Sequence, residues 1–136
     1  MNECIFCKII SGELASATIY ENDEFKVILD RFPANEGHVL ILTKPHVSDI
    51  FELDPDVGAR LFRLAVQIAG VMKKTLGFAH MNVLQNNGIL AGQTVPHFHL
   101  HLIPRYENDG VQITNQTKDL TDEQIESVRK KIADAL

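Results

Sequence analysis

The sequence predicts an α+β domain: an antiparallel sheet of about five strands, one long helix packed on it, and a second helix at the C-terminus. Three observations carry this. Strand-like segments come first, one long stretch of helical periodicity interrupts them, and further strands follow before a capped terminal helix.

Residues 17–21 (ATIYE) and 24–30 (EFKVILD) cluster β-branched and aromatic residues on either side of "END" and predict a hairpin. "RFPANEG" breaks the pattern with Pro33 and Gly37, and "HVLIL" resumes it as a third, more buried strand ending at Pro45. From Asp54 the period becomes helical, with Val57, Leu61, Leu64, Ile68, Val71 and Leu76 recurring at spacings near three and four. Asp54 can cap this helix, Pro55 suits its first turn, Lys73 and Lys74 oppose the dipole at its end, and Gly77 can close it. Its apolar stripe needs a sheet to cover.

"HMNVLQ" at 80–85 reads as a strand entering the loop "NNGILAGQTVP", and residues 97–103 read as the next strand. Residues 105–120 are polar and patternless. Thr121 with Gln124 forms a capping box for a last helix, whose stripe is Ile125, Val128, Ile132 and Leu136. With no repeat, low-complexity tract or linker, residues 1–136 are expected to form one domain, with a core over 4–105 and a C-terminal segment and helix over 106–136.

Composition sets the class and not the task. The hydrophobic content of 45% fits a folded globule, and the formal charge of −5 argues against a protein that coats nucleic acid, without excluding a small phosphorylated ligand. The opening "MNECIFCKIISGELAS" has Glu3 where a signal peptide wants positive charge, and "VLIL" at 39–42 is far too short to span a bilayer. A cytoplasmic protein that does not engage membranes is expected, in which Cys4 and Cys7 stay reduced. Their C-x-x-C spacing then reads as a metal half-site, a redox pair or two buried thiols.

"HFHLHLIPR" at 97–105 places His97, His99 and His101 at alternate positions. On a strand, all three imidazoles share one face while Phe98, Leu100 and Leu102 point into the core. Three titratable rings on one face call for anionic partners or a metal, whereas the lone His80 reads as structural. Two neighbours could share an ion with help from other segments, but a single metal on all three is the weaker idea. At about 3.4 Å per residue the Cα atoms of His97 and His101 lie roughly 13 Å apart, against a Zn–N bond of about 2.0 Å. An extended anionic ligand suits the spacing better, because neutral imidazole is a nucleophile and its cation donates to phosphate oxygens. The loop "NNGILAGQTV" just upstream adds Gly backbone, Asn and Thr donors and peptide N–H groups able to cradle an anion.

With those residues in view, the sequence resembles the histidine triad, or HIT, superfamily of nucleotide hydrolases and transferases. "HFHLHLIPR" fits the superfamily's H-φ-H-φ-H-φ-φ signature (φ apolar). The likeness extends to "CIFCKIISGE" at 4–13, "ILDRFPANEGHVLILTKPH" at 28–46 and "NNGILAGQTVPHFHLHLIPR" at 86–105, in the family's order. Within the family the chain is most similar to the bacterial Hint-type branch that carries an N-terminal C-x-x-C.

The resemblance implies a HIT-like fold and a role for each matching residue. His99 takes the place of the histidine that attacks the α-phosphorus and forms a nucleotidyl-histidine intermediate. His101 matches the histidine that contacts the phosphate and assists the departing group, and His38 a fourth histidine that supports the triad. Asp30 matches the ribose-binding acid and Arg31 a position lining the base pocket. Asn86 matches a side chain near the phosphate; Gly92, Gln93, Thr94 and Val95 match the loop whose donors hold it. Members with this C-x-x-C bind one structural zinc through two cysteines and two histidines, which here are Cys4, Cys7, His46 and His97. Such a closed set fixes structure rather than doing chemistry. The implied ligand is a purine nucleotide such as AMP or GMP, and the implied assembly is a homodimer. Thr43 departs from the proline common before lysine in this family, and the segment after Arg105 matches none of its motifs.

The resemblance implies hydrolysis of purine nucleoside 5'-phosphoramidates, or of related acyl or alkyl nucleotides, to a nucleoside monophosphate. The Fhit-like branch, which cleaves dinucleoside polyphosphates, is the enzymatic alternative, although it places Gln where this chain has Asn86. A nucleotide-binding regulator or scaffold, and a redox or zinc-handling protein centred on Cys4 and Cys7, are alternatives of other classes.

Overall fold

The computed structural model describes residues 3–136; Met1 and Asn2, which open the N-terminal stretch read above, lie outside them. Five strands form one antiparallel sheet: β1 (Thr18–Glu21), β2 (Phe25–Leu29), β3 (Val39–Thr43), β4 (His80–Leu84) and β5 (His99–Arg105). Their order is β1-β2-β3-β5-β4, so β5 is inserted between β3 and β4. The register pairs Leu42 with His99 and Leu40 with His101 on one side, and Leu84 with His101 on the other.

Alternation divides the sheet into two faces with different duties. Phe25, Val27, Val39, Ile41, Phe98, Leu100 and Leu102 point to one face and meet Leu61, Leu64, Ala65 and Met72 of α2 (Pro55–Leu76). This is the main core, and it is where the sequence put Phe98, Leu100 and Leu102. α2 has the foreseen termini: Asp54 accepts from the N–H groups of Asp56 and Val57, and Gly77 closes the helix in the left-handed conformation. The opposite face carries a smaller cluster of Ile28, Leu40 and Leu42 beneath Phe6, Ile9 and Ile10 of α1 (Ile5–Ser11). His99 and His101 project from this second face, so the chemistry-bearing side of the sheet is the one α2 leaves uncovered.

Two elements differ from expectation. The N-terminal stretch is helical: Cys4 caps α1 by accepting the Cys7 N–H at 3.5 Å, and the buried Lys26 donates its ammonium to the Ile9 carbonyl near the helix end. Ladder pairing also begins at His99 rather than at residue 97, because the His97 N–H turns to the Val95 carbonyl (2.8 Å) and the Phe98 N–H to the Val47 carbonyl (2.7 Å). After β5 the chain is pinned by Asp109. Its carboxylate accepts from the Arg105 guanidinium at 2.9 and 3.2 Å, from the Asn35 amide and from the Tyr106 and Val111 N–H groups. Residues 112–120 have no regular structure, and α3 (Asp122–Ala135) follows with its capping box and its Ile125, Val128 and Ile132 exposed. Among the described residues, no helix is long and apolar enough to cross a membrane.

Candidate active site and metal centre

The hydrogen bonds around His99, His101 and His38 settle which ring nitrogen carries each proton. His99 Nδ1 lies 2.7 Å from the His97 carbonyl, which can only accept, so the proton is on Nδ1 and the Nε2 lone pair is free. His38 Nδ1 accepts the Ala34 N–H at 2.9 Å, which leaves the His38 proton on Nε2. That proton is donated to His101 Nδ1 at 2.9 Å, so His101 carries its own proton on Nε2. The His99 and His101 ring centroids are 4.8 Å apart. A bare nitrogen and an N–H donor therefore stand side by side, each fixed by a partner behind it.

Burial keeps these rings neutral. Desolvation is the leading cause that lowers His99, His101 and His38, with His101 pushed down to about 4 as His99 and His38 add like-charge opposition. Asp30, with a carboxylate oxygen 3.6 Å from His38 Nε2, pulls the other way but does not prevail. A neutral imidazole with a free Nε2 is a competent nucleophile at neutral pH without prior deprotonation.

The remaining matched residues border this group unequally. Asp30 sits just past β2, its N–H bonded to the His38 carbonyl and one carboxylate oxygen holding the Phe32 N–H at 3.0 Å. Arg31 is exposed and, among the described residues, hydrogen-bonds to none. Asn86 reaches the Gly92 carbonyl at 3.4 Å, and Gly92, with φ of 89°, holds the left-handed conformation that favours glycine.

Within the loop, the N–H groups of Gly92 and Gln93 are turned inward to the Ile89 and Gly88 carbonyls. Among the described residues, the N–H groups of Thr94 and Val95 have no partner, and these point to the anion-binding part of the loop. The Gln93 side chain is a brace, accepting from the Gly88 N–H and donating to the Ser48 and Val95 carbonyls. Gln85 and Asn87, which the sequence reading passed over, extend this brace: they bond each other, and Asn87 accepts the Ile50 N–H. Their run of amides beside "NNG" was the available signal.

Cys4, Cys7, His46 and His97 converge as the C-x-x-C motif and the two histidines led one to expect, with one ligand atom from each within 4.8 Å of the others. His97 donates Nε2–H to the Thr43 carbonyl at 2.7 Å, which leaves Nδ1 bare. That nitrogen lies 3.0 Å from His46 Nδ1, 3.4 Å from Cys4 Sγ and 3.6 Å from Cys7 Sγ, and Cys7 Sγ lies 3.2 Å from His46 Nδ1. A tetrahedral zinc with ordinary bond lengths requires edges of about 3.3 Å between nitrogens and about 3.5 Å between nitrogen and sulfur. The donor set fits. Burial and the neighbouring Cys4 thiol push the Cys7 thiol up, a bias that a bound cation reverses. The triad thus divides, as the resemblance implied: His97 belongs to this cluster and His99 with His101 to the other.

Known proteins share the family and the fold. The HIT domain family matches residues 11–108. A HIT family protein of Bacillus anthracis superposes with a TM-score of 0.92 at 39% identity, covering 99% of this chain and 98% of that one. A zinc-bound histidine triad family protein of Mycobacterium smegmatis superposes with a TM-score of 0.77 at 29% identity, covering 99% of each chain. The chain is 32% identical over 131 residues to an adenosine 5'-monophosphoramidase of Schizosaccharomyces pombe, spanning 96% of both. It is 42% identical over 108 residues to an adenylylsulfatase of Arabidopsis thaliana, spanning 79% of this chain and 55% of the relative.

Proposed function

Because the chain belongs to the HIT family, we propose that it hydrolyses purine nucleoside 5'-phosphoramidates, or related acyl or alkyl nucleotides, to a nucleoside monophosphate. The observation that carries this reading is the pair of fixed tautomers: a bare His99 Nε2 beside a His101 that carries its proton on Nε2. Relatives named as an adenosine 5'-monophosphoramidase and an adenylylsulfatase support the substrate class.

In this mechanism His99 Nε2 attacks the α-phosphorus, a P–Nε2 bond forms and the bond to the leaving group breaks. Positive charge develops on the His99 ring, and the His97 carbonyl, already accepting Nδ1–H, stabilises it more strongly as it grows. The His101 Nε2–H donates a hydrogen bond to the departing nitrogen or oxygen, which leaves with a proton drawn from solvent. Water then attacks the phosphorus and loses its proton to solvent, the P–Nε2 bond breaks, and His99 leaves neutral. Asp30 accepts from the ribose hydroxyls and Thr94 and Val95 hold the phosphate from the loop, with Asn86, Gly92 and Gln93 shaping that loop. The purine lies against the apolar surface of Ile28, Ile9 and Ile10, with Arg31 at its rim.

One structural zinc per chain, held by Cys4, Cys7, His46 and His97, is part of the reading; the ion ties the N-terminus to the sheet and takes no part in the reaction. So is a cytoplasmic location, where both thiols stay reduced, and so is a homodimer. β4 is an open edge strand, and α2 carries a second stripe of exposed Ala59, Phe62, Val66 and Gly70. Phe62 also lines an apolar groove of about 500 Å³ with Ile50, Leu53, Phe98 and Leu100.

Incubation with an adenosine phosphoramidate tests the central claim. Release of AMP by wild type, with none by His99→Ala, is expected; equal inertness of two proteins that both bind AMP ends the hydrolase reading.

A further inference from the structure

The nucleophile's orientation depends on a peptide unit that no strand pairing holds. The carbonyl that fixes His99 Nδ1 belongs to His97, and the N–H of the same peptide unit is that of Phe98; both precede the first ladder pair at His99. Its anchors lie elsewhere. The Phe98 N–H is held by the carbonyl of Val47, whose neighbour His46 is one of the four clustered ligands. The His97 side chain is another of the four, fixed at Nε2 by Thr43 and at Nδ1 by the two sulfurs and His46.

A third link comes from α1. Phe6 lies between Cys4 and Cys7 in sequence, is buried, and presents its ring at 4.9 Å to His99 and 5.9 Å to His97, at steep interplanar angles. His101 lies against the His99 ring as well, so His99 is confined by Phe6, by His101 and by the His97 carbonyl.

We propose that the Cys4–Cys7–His46–His97 centre, acting through Phe6 and the peptide unit 97–98, is a positioning device for the nucleophile and not merely a clamp on the N-terminus. His97 and His46 are positioning residues that act through His99, and Phe6 packs on the His99 ring from within the apolar cluster that takes the purine. The inference rests on the reading of His99 as nucleophile. Holding the four ligands in one centre keeps His46 and His97 together, fixes the 97–98 carbonyl, and seats α1 so that Phe6 blocks alternative rotamers of His99. Without the metal, or without the Phe6 ring, the fold persists on its main core while His99 samples other orientations and both tautomers. Catalysis then falls because attack geometry is lost, and a displacement of about 1 Å is enough to cost up to about a hundredfold in rate.

The test compares zinc-loaded wild type, Phe6→Leu, Phe6→Ala and Cys7→Ser by three measurements. The first is kcat and KM on adenosine phosphoramidate, the second AMP affinity by calorimetry, and the third the imidazole ¹⁵N spectrum that reports the His99 tautomer. The expected result is a kcat lower by about tenfold or more in all three variants, with AMP affinity within about twofold of wild type in Cys7→Ser. In the spectrum, the single Nδ1–H form of His99 gives way to mixed tautomers in Phe6→Ala and Cys7→Ser. Phe6→Leu, which keeps an apolar side chain and the four ligands, guards against a Cys7→Ser chain that fails to fold. An unchanged kcat and an unchanged tautomer in Phe6→Leu and Phe6→Ala overturn the proposal. Should wild type prove inert on the phosphoramidate, the hydrolase reading falls, and the tautomer spectrum still decides the positioning claim.

Discussion

At the scale of single residues, the site is a chain of imidazoles each told where to keep its proton. His38 is the hinge of that arrangement: Ala34 strips its Nδ1 and so directs its Nε2–H to His101. Replacing His38 with Ala is expected to lower kcat by about a hundredfold while leaving AMP affinity near wild type, since it frees the proton position of His101 without removing a phosphate donor. Steady-state kinetics with parallel calorimetry check it; an unaltered kcat would detach His38 from the reaction. The alternation of "HFHLHL" made His99 and His101 legible, because period two is a direct consequence of strand geometry. Phe6 was not legible as a site residue. Nothing local marks an aromatic between two cysteines as packing on a ring 93 residues away. Gln93 falls in the anion loop by sequence, and its side chain braces that loop through Gly88, Ser48 and Val95.

At the scale of elements, α2 was readable to its end residues because capping, periodicity and the terminal glycine all agreed. α1 escaped notice because seven residues with paired apolar positions give too short a window for a helical period. The segment after β5 looked featureless for a different reason: its order comes from one carboxylate with distant partners. Asp109 is 7% exposed, and the Arg105 guanidinium with three further donors holds its carboxyl well below the usual range. Asp109→Ala should therefore lower the thermal midpoint by several degrees and loosen residues 106–111, as hydrogen exchange on the Tyr106 and Val111 amides would register. Its effect on kcat should be slight, because the knot lies at the far end of β5 from His99. An unshifted midpoint would mean that the knot is incidental to the fold.

At the scale of the molecule, four neutral imidazoles, His38, His97, His99 and His101, have been taken out of water. Burial lowers all four below their ordinary value of 6.5. The unfolded chain thus binds protons that the folded chain refuses, so stability is fully present above about 6.5 and declines as pH falls toward 4. Denaturant titrations at pH 7.5, 6 and 5 should give successively smaller unfolding free energies; a rise toward pH 5 would mean the rings are protonated in the native state. The exposed α2 stripe makes a second prediction at this scale. Val66→Glu should shift the sedimenting species from dimer to monomer, whereas a wild type that sediments as a monomer would end the dimer reading. The fold class was open to sequence because the order of periodicities dictates it. Strand order was not, since the pairing of β3 with β5 depends on packing between segments more than fifty residues apart.

That pairing also sets a timetable for synthesis. β3 and β4 are both made before β5, and each waits with an unsatisfied backbone edge for the same partner. Until residues 99–105 leave the ribosome, the nascent chain has a gap at the centre of its sheet, an invitation to pair with the wrong chain. The strand that fills it also carries His99 and His101, so the last strand to arrive brings the reactive groups with it. A chain stalled before β5 lacks both of these groups, so the appearance of activity during translation should mark the moment at which the sheet becomes whole.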